Sequence, residues 1–168
     1  MQILVMSDTH GDSGVIEKVR GFYPNIDTLI HCGDSELPFS HQALDGIKKV
    51  RGNCDIDPAF LDEMVIDLAG IKVFATHGHL FNVKSSMLSL SYRAKEVNAQ
   101  MVCFGHSHML GAEMIDGILF LNPGSLLKPR GRQEKSFAVV EINQTAFKVD
   151  FFTDDHQLLD SYTFMRNE

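Results

Sequence analysis

At 168 residues the chain is long enough to bury a substantial core, and it reads as a single domain over residues 1–168. With 44% hydrophobic and 22% charged residues, its composition is that of an ordinary folded protein, which excludes a disordered chain. The formal charge of -7, from 15 basic and 22 acidic residues, argues against an extended basic face, so no stable nucleic-acid binding is expected.

Residues 1–6 form a short apolar run without a basic leader, so neither a signal peptide nor a membrane span fits, and a cytoplasmic location is expected. Within that run Ile3, Leu4, Val5 and Met6 read as a central strand buried on both faces. Val15, Ile16, Val19 and Phe22 recur at helical spacing, and residues 28–32 read as strand again, which makes a βαβ unit. A short helix is expected over residues 39–44 and a strand over 47–50. Residues 63–68 and 71–75, parted by Ala69 and Gly70, read as a hairpin. Residues 83–97 read as a helix with Met87, Leu88, Tyr92 and Val97 turned inward, followed by a strand over 101–104. Two further hairpins are expected, 112–115 with 118–121 around Asp116-Gly117, and 137–142 with 147–152 around Asn143-Gln144. In the last of these Phe147, Val149 and Phe151 share a face. A mainly parallel first half and an antiparallel second half point to an α/β fold of two packed mixed sheets flanked by helices. Cys32, Cys54 and Cys103 are odd in number and are expected to be free thiols.

Five of the expected strands end in a polar island: Asp8-Thr9-His10, Gly33-Asp34, Gly52-Asn53-Cys54-Asp55, Thr76-His77-Gly78-His79 and Gly105-His106-Ser107-His108. A sheet carrying those strands would gather all five at one edge. Singly, Asp-x-His, Gly-Asp and Gly-Asn are common turn chemistry. His106 and His108, bracketing one residue after an apolar strand, are less readily explained by packing. The conjunction carries the weight. Imidazole, carboxylate and amide oxygen together suit divalent Mn, Fe, Zn, Ni or Co, with no thiolate required. Two such ions about 3.5–4 Å apart can clamp a phosphoryl group and activate a water between them. A shared carboxylate would fix that separation, and Asp34 is the candidate.

These islands resemble the signature of the calcineurin-like metallophosphoesterase superfamily, in order, over residues 3–125. Ser-Asp-Thr-His-Gly, His-Cys-Gly-Asp, Val-Arg-Gly-Asn-Cys-Asp, Thr-His-Gly, Gly-His-Ser-His and Asn-Pro-Gly-Ser look most like its small single-domain phosphodiesterase branch. The resemblance implies an αββα sandwich and a phosphodiesterase that hydrolyses a small phosphate ester through a dinuclear centre and a bridging hydroxide. Position by position, it implies that Asp8, His10 and His108 hold one ion, that Asn53, His77 and His106 hold the other, and that Asp34 bridges. Manganese is the first choice of metal, with Ni, Co, Zn and Fe as alternatives.

One position departs from the wider pattern. Many members follow Gly-Asn with a histidine that protonates the leaving group or steadies the phosphate, whereas this chain, like the small branch, has Cys54. That thiol either donates weakly beside the substrate or is a small buried hydrophobe. With Asp34 and Asn53, Cys54 and His79 complete the candidate catalytic set, although His79 could equally support a ligand or shape its turn. Asp55 orients its loop or caps a turn; Arg51 reaches a phosphate or, the favoured reading, makes a structural salt link. His31, His41 and His156 are read as core or surface residues. The loop Asn122-Pro123-Gly124-Ser125 is expected to shape the site without ligating metal, and the basic stretch 128–135 to be a solvated loop or a rim that guides anions. A phosphomonoesterase or nucleotide pyrophosphohydrolase could use the same centre. A scaffold retaining a metal site is a further reading, by analogy with a small retromer subunit that has lost part of the ligand set; here every position is filled. A homodimer is the default assembly.

Overall fold

The computed structural model describes residues 1–166. Strand β1 (Gln2–Met6) pairs in parallel with β2 (Thr28–His31), and β2 with β3 (Lys48–Lys49). Helix α1 (Ser13–Gly21) crosses between β1 and β2 and buries Val15, Ile16 and Val19, as the spacing predicts. It begins where the Asp12 carboxylate accepts the Val15 N–H at 3.0 Å, an N-cap. The other edge of β1 is taken by β9 (Ser136–Ile142), antiparallel, and then by β10 (Ala146–Thr153) and β11 (Leu158–Met165), giving the order β11-β10-β9-β1-β2-β3. The second sheet runs β4 (Glu63–Leu68), β5 (Ile71–Thr76), β6 (Met101–Cys103), β8 (Ile118–Asn122), β7 (Gly111–Ile115).

The sheets meet face to face. Ile3 and Val5 of β1, Val73 and Ala75 of β5, Met101 and Cys103 of β6, and Phe147, Val149 and Phe151 of β10 belong to one buried cluster. The alternate residues face outward to the helices: Leu4 and Met6 pack with the buried side of α1, and Phe74 and Val102 pack with Leu90 and Ala94 of α2 (Leu88–Glu96). Burial on both faces is why β1 reads as an unbroken apolar run.

Four expectations are corrected. The islands do not hang from one sheet, since β1 to β3 belong to one and β5 and β6 to the other; β9 to β11 complete the sheet of β1, because β1 leaves one edge open and the apolar face of the C-terminal hairpin closes it. Residues 39–44 hold only a 3-10 turn, Gln42–Leu44, started by His41 Nδ1 accepting from Ala43 N at 3.0 Å. Helix α2 begins at Leu88, not at residue 83. A 3-10 turn at His79–Phe81 and left-handed Asn82 (φ 52) lead into a further turn over residues 83–85 that takes the start of the expected helix, and the Ser86 hydroxyl then accepts the Leu88 N–H. Leu90, Ser91 and Ala94 therefore face inward, Met87 and Val97 pack at the margin, and Leu88 and Tyr92 are exposed. Strand β11 has no counterpart among the expected elements; as an edge strand with mixed exposure it lacks clean alternation.

Candidate metal centre

The islands converge where the carboxyl ends of β1, β2 and β3 meet those of β5 and β6. Asp8 (φ 56), His10 (φ 43), Asp34 (φ 56), His106 (φ 68) and His108 (φ 60) all have left-handed backbone, which is costly for side chains with a Cβ and concentrates at functional sites. The surrounding structure holds them there. Asp8 N donates to Gly33 O and His10 N to Asp34 O, both at 3.0 Å, Gly105 N donates to His77 O at 3.0 Å, and the Ser125 hydroxyl donates to Asp8 O at 2.7 Å. The Asn122 amide donates to Gly105 O and the Ser107 hydroxyl, so the Asn-Pro-Gly-Ser loop braces the site as expected. Gly52 lies so close that a Cβ there would meet Asp34 Oδ1 at 2.0 Å. Only glycine fits.

The polar atoms form two groups. Asp8 Oδ1 lies 3.0 Å from His108 Nε2 and 3.7 Å from His10 Nε2, and one ligand atom from each of these three residues lies within 4.8 Å of the others. Asp8, Asp34 and His77 form a second such group. Asn53 Oδ1 is 3.0 Å from both His77 Nε2 and His106 Nδ1. The arrangement thus brings together all seven residues that the sequence singles out as ligands.

Proton placement decides the chemistry of this cluster. His77 Nδ1 lies 2.7 Å from Cys32 O and His108 Nδ1 lies 2.7 Å from Lys128 O. A carbonyl only accepts, so both Nδ1 atoms carry the hydrogen and, in the neutral rings, both Nε2 atoms present lone pairs. His10 Nδ1 is held in the same way by Glu36 Oε1 at 2.9 Å. Yet His108 Nε2 faces the Asp8 carboxylate, and His77 Nε2 faces Asp34 Oδ2 at 3.2 Å as well as the Asn53 oxygen. Acceptors point at acceptors. Asp8 Oδ1 is buried and, among the described residues, has no hydrogen-bond partner, whereas Oδ2 accepts from the Ser7 hydroxyl and His106 N. A proton on the ring nitrogen or a metal ion between the facing atoms reconciles these contacts, and histidines whose far nitrogen donates to a carbonyl or carboxylate are the usual ligands of a metal. The donor set fits divalent metal.

Burial raises the Asp34 carboxyl, but the hydrogen bond and charge of His77 outweigh it and hold it well below the usual range. Asp8 is likewise held low, burial being outweighed by His108, His77 and Ser7. His77 is lowered by burial and raised more by Asp34 and Asp8, ending above its ordinary value. His106 is pushed down to about 4 by burial and by His77. Cys54 is exposed, which removes its reading as a buried hydrophobe. Partial desolvation of its thiol and the carboxylates of Asp34 and Glu36 push it up to about 11, so it is a neutral S–H donor at pH 7 in the metal-free protein. His79 sits beside His77 and His106, with ring centroids 5.4 and 6.1 Å away. Burial lowers its pKa.

Two residues matter more than their sequence context suggests. Asp55 accepts from Asp34 N, Glu36 N and Gly52 N at 2.7–2.8 Å, tying two ligand loops together. Glu36, which nothing in the sequence singles out, orients His10. The other expectations hold: Arg51 pairs with Asp62 at 2.8 Å, buried His31 bonds to Thr9 and Gly33, His156 stacks on Phe22 and Phe152, and all three cysteines are free.

A family model described as the calcineurin-like phosphoesterase superfamily domain matches residues 1–145. The chain belongs to that superfamily. A probable metallophosphoesterase, YsnB of Bacillus subtilis (strain 168), is 40% identical over 153 residues, covering 90% of each chain. A phosphodiesterase of Methanocaldococcus jannaschii, MJ0936, is 28% identical over 144 residues, 74% of this chain and 83% of its own. The crystal structure of a conserved protein from Streptococcus pneumoniae TIGR4, described as a predicted phosphoesterase, superposes with TM-score 0.95 at 42% identity, covering 98% of this chain and 97% of its own. Vps29 of Entamoeba histolytica, solved with Zn2+, shares the fold at TM-score 0.78 and 21% identity over 99% of this chain and 100% of its own. As a superfamily member this protein is a metal-dependent hydrolase of phosphoric esters. No helix of the described residues is long and apolar enough to cross a membrane.

Proposed function

We propose that the protein is a phosphodiesterase with a dinuclear centre, Asp8, His10 and His108 holding one ion, Asn53, His77 and His106 the other, and Asp34 bridging. The observation that carries this reading is the facing of acceptors, His108 Nε2 against Asp8 Oδ1 and His77 Nε2 against Asp34 Oδ2. When bound, the ions supply Lewis acidity toward the phosphoryl oxygens and an activated water or hydroxide between them. Manganese is the favoured ion, with Ni, Co, Zn and Fe as alternatives.

The chain's own residues position and donate. Asp34 Oδ1 accepts the Cys54 N–H at 2.7 Å, which orients the carboxylate that would hold both ions. The neutral Cys54 thiol offers a weak hydrogen bond to a substrate oxygen, and neutral His79 lies on the His77 and His106 side to steady another. No covalent enzyme intermediate is invoked. A weak donor in place of a histidine favours esters with good leaving groups. The completeness of the ligand set favours catalysis over a purely scaffolding role, and the proposed setting is a cytoplasmic, single-domain enzyme that forms a homodimer.

The test is hydrolysis of bis(4-nitrophenyl) phosphate beside 4-nitrophenyl phosphate by metal-stripped protein reloaded in turn with Mn, Ni, Co, Zn and Mg. Diester turnover should depend on metal and be lost in a folded Asp34→Asn variant. Tight metal binding without turnover of either ester would instead support the scaffold, and full activity in Asp34→Asn would remove the bridge.

A further inference from the structure

A cavity of about 520 Å3 opens beside the metal centre, lined by Glu36, Leu37, Pro38, Cys54, Ile56 and Asp57. It borders the centre at two points: Glu36 Oε1 lies 2.9 Å from His10 Nδ1, and the backbone N–H of Cys54 reaches Asp34 Oδ1. Ligand-type atoms of His10, Glu36 and Cys54 fall within 4.8 Å of one another. An ester arm on a phosphoryl group held at Asp34 and His10 therefore has this cavity directly in front of it. The larger cavity, about 560 Å3, meets the Gly105 to His108 turn only at Ser107.

The walls specify what fits. Leu37, Pro38 and Ile56 make one side apolar, and Ile56 is 96% exposed, an isoleucine that the protein itself leaves uncovered. The acidic side chains of the lining are Glu36 and Asp57, and it has no lysine or arginine. Asp57 accepts the N–H groups of Phe39 and Ala59 at 2.8 and 2.9 Å, which fixes its carboxylate in the ionised form. An arm bearing a negative charge is repelled here, and an apolar stem bearing a positive charge is matched twice.

We propose that this cavity is the ester-arm subsite and that it selects phosphodiesters of a cationic amino or quaternary-ammonium alcohol over those of neutral or anionic alcohols. The proposal rests on the phosphodiesterase reading above and goes beyond it by naming the substrate class.

The test uses three 4-nitrophenyl phosphodiesters of similar size, those of choline, of its uncharged isostere 3,3-dimethylbutan-1-ol, and of 3-hydroxypropanoate, with the manganese-loaded full chain. The expected order of kcat/KM is cationic, neutral, anionic, with about tenfold between the first two, the ratio that one charge contact of roughly 1.4 kcal/mol produces. Ile56→Lys, at a position 96% exposed, should lower the cationic-to-anionic preference by at least about tenfold. Ratios within twofold across the series, or unmoved by Ile56→Lys, overturn the subsite. If no ester turns over, bis(4-nitrophenyl) phosphate included, the phosphodiesterase reading fails separately. The subsite is then decided by titrating the protein with phosphocholine and with 3,3-dimethylbutyl phosphate while following the Ile56 methyl resonance. A shift with tighter binding of phosphocholine sustains it, and no shift or equal affinity rejects it.

Discussion

Replacing Asp55 by asparagine should cost the protein more than any surface change of one atom ordinarily does. The Asp55 carboxylate is 9% exposed; one oxygen accepts from Asp34 N at 2.8 Å and Gly52 N at 2.7 Å, the other from Glu36 N at 2.8 Å. In Asp55→Asn the best rotamer keeps its oxygen toward Asp34 and Gly52 and turns its NH2 group against the Glu36 N–H. One backbone donor is then orphaned at about 1–3 kcal/mol, and the two surviving bonds lose their charge assistance. A total of roughly 3 kcal/mol is expected, a large share of the 5–15 kcal/mol that holds a typical domain. Asp55→Ala orphans all three donors and should cost about 5 kcal/mol, moderated by water entering beside exposed Glu36. Urea unfolding of metal-free protein at pH 7 measures this directly. A stability for Asp55→Asn within about 0.5 kcal/mol of the parent, the range of ordinary surface changes, would refute the role of Asp55 as the tie between the two loops.

The same geometry leads to three further expectations. Gly52→Ala places a Cβ 2.0 Å from Asp34 Oδ1 and 2.4 Å from Asp34 N, so metal binding measured by calorimetry should be abolished, and parental affinity would contradict that close approach. Glu36→Ala releases His10 Nδ1 and should weaken manganese affinity by about 10–100-fold, the usual loss when a ligand's own partner is removed; an unchanged dissociation constant would deny Glu36 this role. Acidification should destabilise the protein through His31, which burial pushes from 6.5 down to about 4 in the folded chain. Because the unfolded chain takes up that proton first, stability is complete above about pH 6.5 and falls by roughly 3 kcal/mol as the pH drops to about 4. Urea midpoints at pH 7 and 4.5 should show a smaller loss for His31→Asn, whose side-chain oxygen can still accept from Gly33 N; an identical loss would place the titration elsewhere.

Much of the chemistry is legible along the chain because it is written at short range. Strand β1 announces itself by an unbroken apolar run, α1 by the spacing of Val15, Ile16 and Val19 behind the Asp12 cap, and each island by polar residues at the point where a strand stops. Those signals span a few residues, within reach of local backbone rules. The errors come where local rules compete. Residues 83–87 carry apolar spacing, but Asn82 and the Ser86 cap delay α2 and turn Leu88 and Tyr92 to solvent. Strand β11 exists because β10 offers it an edge and not because its own pattern demands it.

Residue types and their order along the chain, then, were enough to indicate a metal-dependent phosphoesterase and to single out seven candidate ligands. Tertiary structure alone decided that the islands hang from two sheets, that Asp55 and Glu36 support candidate ligands, and that Cys54 is exposed. It also decided that acceptors face acceptors across the site. The reason is distance along the chain: Asp8 meets His106 across 98 positions and Asp34 meets Asp55 across 21. The first contact is set by how one sheet packs on the other and the second by the pairing of β2 with β3, and no local pattern of side chains encodes either.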